Sequence, residues 1–153
     1  MKTETAPLAL QVEIRHVFDA PVERVFAAWT DVNKFAAWVG SHECRNKRAQ
    51  GKIGVGNTCR FEGESPRGQF AVDVKYLEIM PNSRLVFSWT PIKSCCSAAA
   101  VGDGETTATV SFRAIGAKTE VHLIHAGFAS EPSCLAHNEG WTQSFESLAK
   151  SLA

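Results

Sequence analysis

Residues 8–40 read LALQVEIRHVFDAPVERVFAAWTDVNKFAAWVG, and the apolar period changes once within them. From Leu8 to Phe18 the residues Leu8, Leu10, Val12 and Ile14, with His16 or Phe18, share one side of a period-two pattern. That alternation predicts a half-buried strand. Asp19 and Pro21 follow, a pair suited to a strand-to-helix handover because Asp can cap exposed amides and Pro fits a first turn. Glu23 then favours the positive end of the helix. Val22, Val25, Phe26 and Trp29 recur at three- and four-residue spacing, so the first helix is expected from about Pro21 to Trp29. A second short helix begins at Thr30 or Asp31, carries Val32, Phe35, Ala36 and Trp38, and stops at Gly40, a natural C-cap.

Working outward, the period is mostly two from Ser41 to Ser130. Expected strands are Glu43 to Ala49, Asn57 to Glu62, Gln69 to Ile79, Arg84 to Thr90, Thr106 to Ala114 and Lys118 to Gly127. Gly51, Gly54 and Gly56, then Ser65 to Gly68, Pro81 with Asn82, Gly102 to Gly104, and Gly116 punctuate them. Short connections between successive strands imply antiparallel hairpins. Leu85, Phe87 and Trp89 face one way and Val86 and Ser88 the other, and Val121, Leu123 and His125 repeat the arrangement, so the sheet is one-sided. Helical spacing returns from about Ser133 to Leu152, with His137, Trp141, Phe145, Leu148 and Leu152 on one flank. Eighteen residues of such a helix span about 27 Å, enough to lie across a sheet. Gly140 stands inside it, and since a mid-helix Gly costs about 1 kcal/mol relative to Ala, a close approach of a neighbouring strand or short helix is expected there.

The fold class is therefore α+β: a curved antiparallel sheet of about six to seven strands, two short helices after the first strand, and a long C-terminal helix on the concave face, in the order β-α-α-β6-α. A single domain is expected over 1–153, with its core at about 8–152. Helix and sheet grip a space between them, and Phe35, Trp38, Phe61, Phe87, Trp89 and Trp141 are its expected walls. A mostly apolar pocket with a few polar groups is the usual form of a small-molecule site.

The stretches VFDAPVERVFAAWTDVNKFAAWVG, SRLVFSWT, VHLIHAGF and HNEGWTQSFESLAKSLA together resemble the START-like (SRPBCC) superfamily. Within it they are most similar to single-domain bacterial proteins related to the C-terminal domain of the Hsp90 ATPase activator (AHSA1-like). The resemblance covers Val12 to Leu152. It implies the helix-grip fold and a cavity for hydrophobic or amphipathic ligands, with no shared catalytic signature. The segment SCCSAAAV (94–101) departs from the family's usual shorter hairpin and is a candidate cover for the cavity mouth. The eukaryotic activator engages its chaperone through a separate N-terminal domain for which this chain has no room, so an Hsp90 interaction is not carried over.

Composition narrows the function further. The chain has 153 residues, 44% hydrophobic and 21% charged, with sixteen Lys plus Arg against sixteen Asp plus Glu. Zero net charge argues against nucleic acid, whose binders cluster an excess of Lys and Arg on one face. The Arg45, Asn46, Lys47, Arg48 run is too short to change that and reads as a solvated strand or loop. No apolar stretch approaches the length needed to cross a bilayer. Met1 to Pro7 lacks an apolar core, which predicts no signal peptide and a cytoplasmic chain. Five irregularly spaced cysteines predict reduced thiols.

His125 points inward by alternation with Leu123 and Val121. It could hydrogen-bond a ligand or act as a base, against the plainer role of a satisfied core histidine. His137 lies near Trp141 and could reach the same opening, or simply cap or meet solvent. Cys95, Cys96, Cys134 and His137 make a poor zinc pattern, because adjacent cysteines do not easily meet one metal. No Ser-His-Asp arrangement, phosphate loop or paired carboxylate can be placed, so neither a cofactor nor a metal is expected. The leading expectation is non-enzymatic binding of a small hydrophobic or amphipathic ligand, in a stress or regulatory role, with Phe35, Trp38, Phe61, Phe87, Trp89, His125, His137 and Trp141 at the cavity. The alternatives are a cyclase- or hydrolase-type enzyme using His125, and a co-chaperone-like interaction module whose outer sheet face or 94–101 loop docks a partner or a second copy as a homodimer.

Overall fold

A computed structural model describes residues 10–94 and 101–153; Leu8 and the Cys95–Cys96 pair lie outside the described residues. β1 (Gln11–Phe18) leads into α1 (Val22–Thr30) and α2 (Val32–Trp38). Then come β2 (Arg45–Gln50), β3 (Thr58–Ser65), β4 (Gly68–Met80), β5 (Arg84–Lys93), β6 (Thr106–Ile115), β7 (Lys118–Ala126) and finally α3 (Glu131–Leu152). The seven strands form one antiparallel sheet in the order β1-β7-β6-β5-β4-β3-β2. This is the α+β helix-grip arrangement the sequence predicts.

Element ends show where local chemistry acted differently from expectation. Asp31 caps α2, its carboxylate accepting from the Asn33 and Lys34 amides at 3.0 and 2.9 Å. Asp19 does not cap α1, because Pro21 itself occupies the N-cap position with no side-chain bond there. The fixed φ of Pro21, −69°, and Glu23 in the first turn prepare that helix instead. α3 starts at Glu131, two residues ahead of Ser133, since Ser130 Oγ accepts from the Ser133 amide and Pro132 fits the first turn. β5 runs past Thr90 to Lys93, and an irregularity between the pairs Ala71–Lys93 and Val72–Pro91 accommodates the residue without an N–H.

The concave face holds the core. Val12, Val74, Tyr76, Leu85, Phe87, Val110, Val121 and Leu123 are buried along the strands. Trp141, Phe145, Leu148 and Leu152 descend α3 in a stripe and are buried against them. α1 contributes Trp29, fully buried, whose ring stacks 5.9 Å from Trp141 at an interplanar angle of 19° and meets Trp38 edge-on at 4.7 Å. The convex face carries Thr107, Thr109 and Ser111 and cross-strand ion pairs, among them the bidentate Arg60–Asp73 pair at 2.7 and 2.9 Å and Arg113–Glu120 at 2.9 Å. Among the described residues, no helix is long and apolar enough to cross a membrane.

Candidate functional site

The lower half of α3 packs tightly, with Phe145 5.6 Å from Phe18 and Leu148 fully buried. Its upper half borders a depression of about 160 Å³, where Ala136, His137, Gly140, Trp141 and Ser144 form one wall. Phe61, Phe70, Val72, Trp89 and Pro91 from β3, β4 and β5 face them, with Lys93 and Ser94 at the end of β5. The 39–44 connection and Asn46 complete the lining. An enclosed apolar cavity of about 150 Å³ holds benzene, which sets the scale of a ligand here at about one ring system.

The sequence builds the rim through a bulge. Lys47 is the extra residue between the pairs Asn46–Gly63 and Arg48–Glu62. It re-phases β2, so that both Asn46 and Ala49 share the inner face with Gly63 and Phe61. Asn46 Nδ2 then donates to the Ala36 and Val39 carbonyls at 2.7 and 3.2 Å. Those are carbonyls that the end of α2 leaves unpaired. Opposite the bulge only glycine fits, since a Cβ on Gly63 would lie 2.0 Å from the Arg45 carbonyl oxygen and 2.6 Å from the tip of the Phe70 ring. Ser144, buried on α3, ties the connection down. Its Oγ accepts from the Gly40 amide at 2.7 Å and lies 2.7 Å from the Gly140 carbonyl, to which it donates. Beyond it, the His42 amide donates to Gln143 Oε1 at 2.7 Å and the His42 ring meets Glu146 at 3.2 Å.

Of the eight expected cavity residues, the structure puts Phe61, Trp89, His137 and Trp141 on the wall. Phe35, Trp38, Phe87 and His125 are not on it. Phe35 and Phe87 are fully buried and Trp38 nearly so. Phe35 meets Trp38, Phe61 and Phe87 at 5.0, 5.3 and 6.3 Å, so these rings fill the core behind the wall. Trp38 Nε1 is committed to the Ala28 carbonyl at 3.0 Å.

His125 lies one side chain back from the cavity. Trp141 Nε1–H donates to its Nδ1 at 2.9 Å. An indole nitrogen can only donate, so Nδ1 is the bare nitrogen and Nε2 carries the proton. Nε2–H in turn donates to Thr106 Oγ1 at 2.7 Å, and the Thr106 hydroxyl donates to the Trp89 carbonyl at 2.9 Å. Every group in this chain is satisfied. Burial, helped by the neighbouring His137, takes the imidazole down to about 3, so it stays neutral. With both nitrogens occupied and no exposure, His125 has no route to a substrate proton. Its work is to fix two wall residues, Trp141 through the indole and Trp89 through the backbone.

His137 is differently placed. Its Nδ1 lies 2.9 Å from the Ser133 carbonyl and 3.4 Å from Ser133 Oγ, a geometry that puts the ring proton on Nδ1. Ser133 is held by Asp103, whose Oδ2 accepts a short hydrogen bond from the serine hydroxyl and whose Oδ1 accepts from the Ala129 amide at 2.7 Å. Phe128 backs the imidazole at 4.6 Å. Burial lowers the His137 imidazole below its ordinary value against the opposing pull of the Ser133 carbonyl and Asp103.

Gly140 reverses its expectation. Nothing lies within 4 Å of the position its Cβ would take, so open space, and no close approach, accompanies this glycine. Sequence alone marks Gly40 as a helix stop but not its tie to Ser144, and it does not single out the contacts of Asn46 or Ser144, which bridge distant parts of the chain. The nearest signal was a lone amide in the basic run at 45–48. Among the described residues no group of three or more His, Cys, Asp and Glu gathers as a metal site. Burial pushes the thiols of Cys59 and Cys134 up, so neither is a ready thiolate.

No curated protein matches the chain. Among solved structures, protein CV1439 from Chromobacterium violaceum superposes with a TM-score of 0.79 at 21% identity, covering 93% of this chain and 96% of its own. A protein from Arthrobacter aurescens gives 0.78 at 24% identity, covering 94% and 86%. An AHSA1 protein from Silicibacter pomeroyi gives 0.76 at 19%, covering 93% and 96%. At these identities the likeness is one of fold. The sequence family described as Activator of Hsp90 ATPase homolog 1-like protein matches residues 19–153, and with nearly the whole described fold inside that match, the chain belongs to this family.

Proposed function

We propose that this protein binds a small, largely apolar organic molecule in the depression between α3 and the sheet, and performs no covalent chemistry on it. The observation that carries this reading is the wall itself. Phe61, Val72, Trp89, Pro91 and Trp141 present apolar surface around space that Gly140 leaves open. Removing such surface from water is worth about 25 cal/mol per Å². The buried state of His125 supports the non-enzymatic half, since the inward histidine is engaged in structure. The family's fold typically binds ligands in a cavity, which agrees with the same reading.

Native mass spectrometry of the purified protein tests it. A discrete small-molecule adduct, lost on mild activation and absent from a Gly140→Leu variant, is the expected result. An adduct-free protein that also fails to take up added toluene overturns the reading.

A further inference from the structure

We propose that the cavity is built for a neutral aromatic molecule of about one ring system that carries a hydrogen-bond donor, a phenol or an indole, its donor on His137 Nε2 and its ring in the space beside Gly140. This deepens the ligand-binding reading above and rests on it.

The first support is the fixed tautomer of His137. With Nδ1–H directed at the Ser133 carbonyl, Nε2 carries a lone pair, and among the described residues it meets no partner. The relay through Ser133 to Asp103 leaves the ring little freedom to reverse this. A neutral imidazole edge in an apolar wall selects a ligand with an N–H or O–H, because an ether or a methyl there would leave the nitrogen desolvated and unpaired. Of the other polar side chains on the wall, Ser41 donates to Cys44 Sγ, and the Lys93 ammonium stands at the exposed end of β5, away from the apolar floor. Asn46 holds the end of α2, and Ser144 holds Gly40 and Gly140.

The second support is the vacancy. Gly140 and His137 are three residues apart and Trp141 four, so they share one face of α3, with His137 and Gly140 about 4.5 Å apart along its axis. One molecule can therefore fill the glycine space and reach the imidazole. Trp89 and Trp141 are 5.3 Å apart, in contact with each other. A ligand ring accordingly lies across this pair and does not slot between them. The site is sized for a flat ring resting mainly on the half-buried Trp89, since Trp141 itself is 3% exposed, and a branched aliphatic chain would make poorer use of that indole surface.

Binding of 4-fluorophenol, 4-fluoroanisole and 4-fluorobenzoate, followed by fluorine NMR near neutral pH, separates the possibilities. The phenol should bind about 3- to 10-fold more tightly than its methyl ether, the range that one net neutral hydrogen bond supplies. His137→Phe should remove that preference while keeping anisole binding, His137→Gln should restore part of it through the amide oxygen, and Gly140→Val should weaken both probes. Equal affinity for phenol and anisole in the wild type, a preference that survives His137→Phe, or tighter binding of the benzoate at Lys93 each overturns this proposal while leaving ligand binding intact. Failure of the folded protein to bind any of the three overturns the parent reading as well.

Discussion

Gly140 and His125 show how single side chains divide stability from function in this protein. An alanine at 140 would meet nothing within 4 Å and would take up an ordinary helical conformation. Gly140→Ala should therefore raise stability by about 0.5–1 kcal/mol, read as a higher urea midpoint at unchanged slope. A lower midpoint would mean that the space is needed for packing. His125 acts through pH. Its folded value of about 3 lies below the value of about 6.5 in the unfolded chain, so between the two the unfolded chain takes up a proton that the folded chain does not. The contribution is complete above about pH 6.5 and is lost as pH falls toward 3, at about 1.4 kcal/mol per pH unit for one site. Burial of His137 adds a change of the same sign. His125→Gln, whose amide can accept from Trp141 and donate to Thr106, should flatten the decline in stability between about pH 6.5 and pH 5. Urea titrations at several pH values read this directly, and an unchanged slope would remove His125 as its source.

Elements meet the cavity through two devices, the β2 bulge and the Ser144 tie. Gly63→Ala drives a Cβ against the Arg45 carbonyl and the Phe70 ring, so the bulge must shift. A loss of about 1–3 kcal/mol is expected from the overpacking, together with weaker ligand binding, since Phe70 is part of the wall. Ser144→Ala removes the partner of the Gly40 amide. Hydrogen exchange at Gly40 and His42 should speed up while exchange at Leu148, lower on α3, stays slow. Uniform exchange along α3 would show that the 39–44 connection is held by something else. These devices also mark how far the sequence was readable. α1, α2 and α3 announce themselves because their apolar stripes and the Asp31 cap are local. β5 through β7 do so because Leu85, Phe87, Val121 and Leu123 alternate without interruption. The strand expected at Glu43 to Ala49 forms as β2, but which of its residues face inward is not legible, because the extra residue Lys47 breaks the alternation. Likewise inward aromatics are recognisable as inward, but which of them reach open space depends on the helix above. Phe61 and Trp89 line the depression beside Gly140, whereas Phe35 packs on Trp38 of its own helix and Phe87 sits beside its cross-strand neighbour Tyr76.

Across the molecule, the sheet separates two surfaces of different chemistry. The convex face carries cross-strand polar contacts, among them the Arg113–Glu120 ion pair and the hydrogen bond between His122 and Glu13. The concave face spends its aromatic rings on a continuous cluster from Phe26 through Trp29 to Trp89, and the cavity is the place where that cluster reaches solvent. Binding is thus expected to perturb the upper half of α3 and the facing strands, with the lower half of α3 unmoved. The most direct test follows the indole N–H resonances during titration with benzene, in the wild type and in Gly140→Leu. Saturable shifts at Trp89 and Trp141, absent from the equally folded Gly140→Leu protein, are the predicted result. No shift in the wild type, or the same shifts with the leucine in place, would contradict a ligand cavity at Gly140.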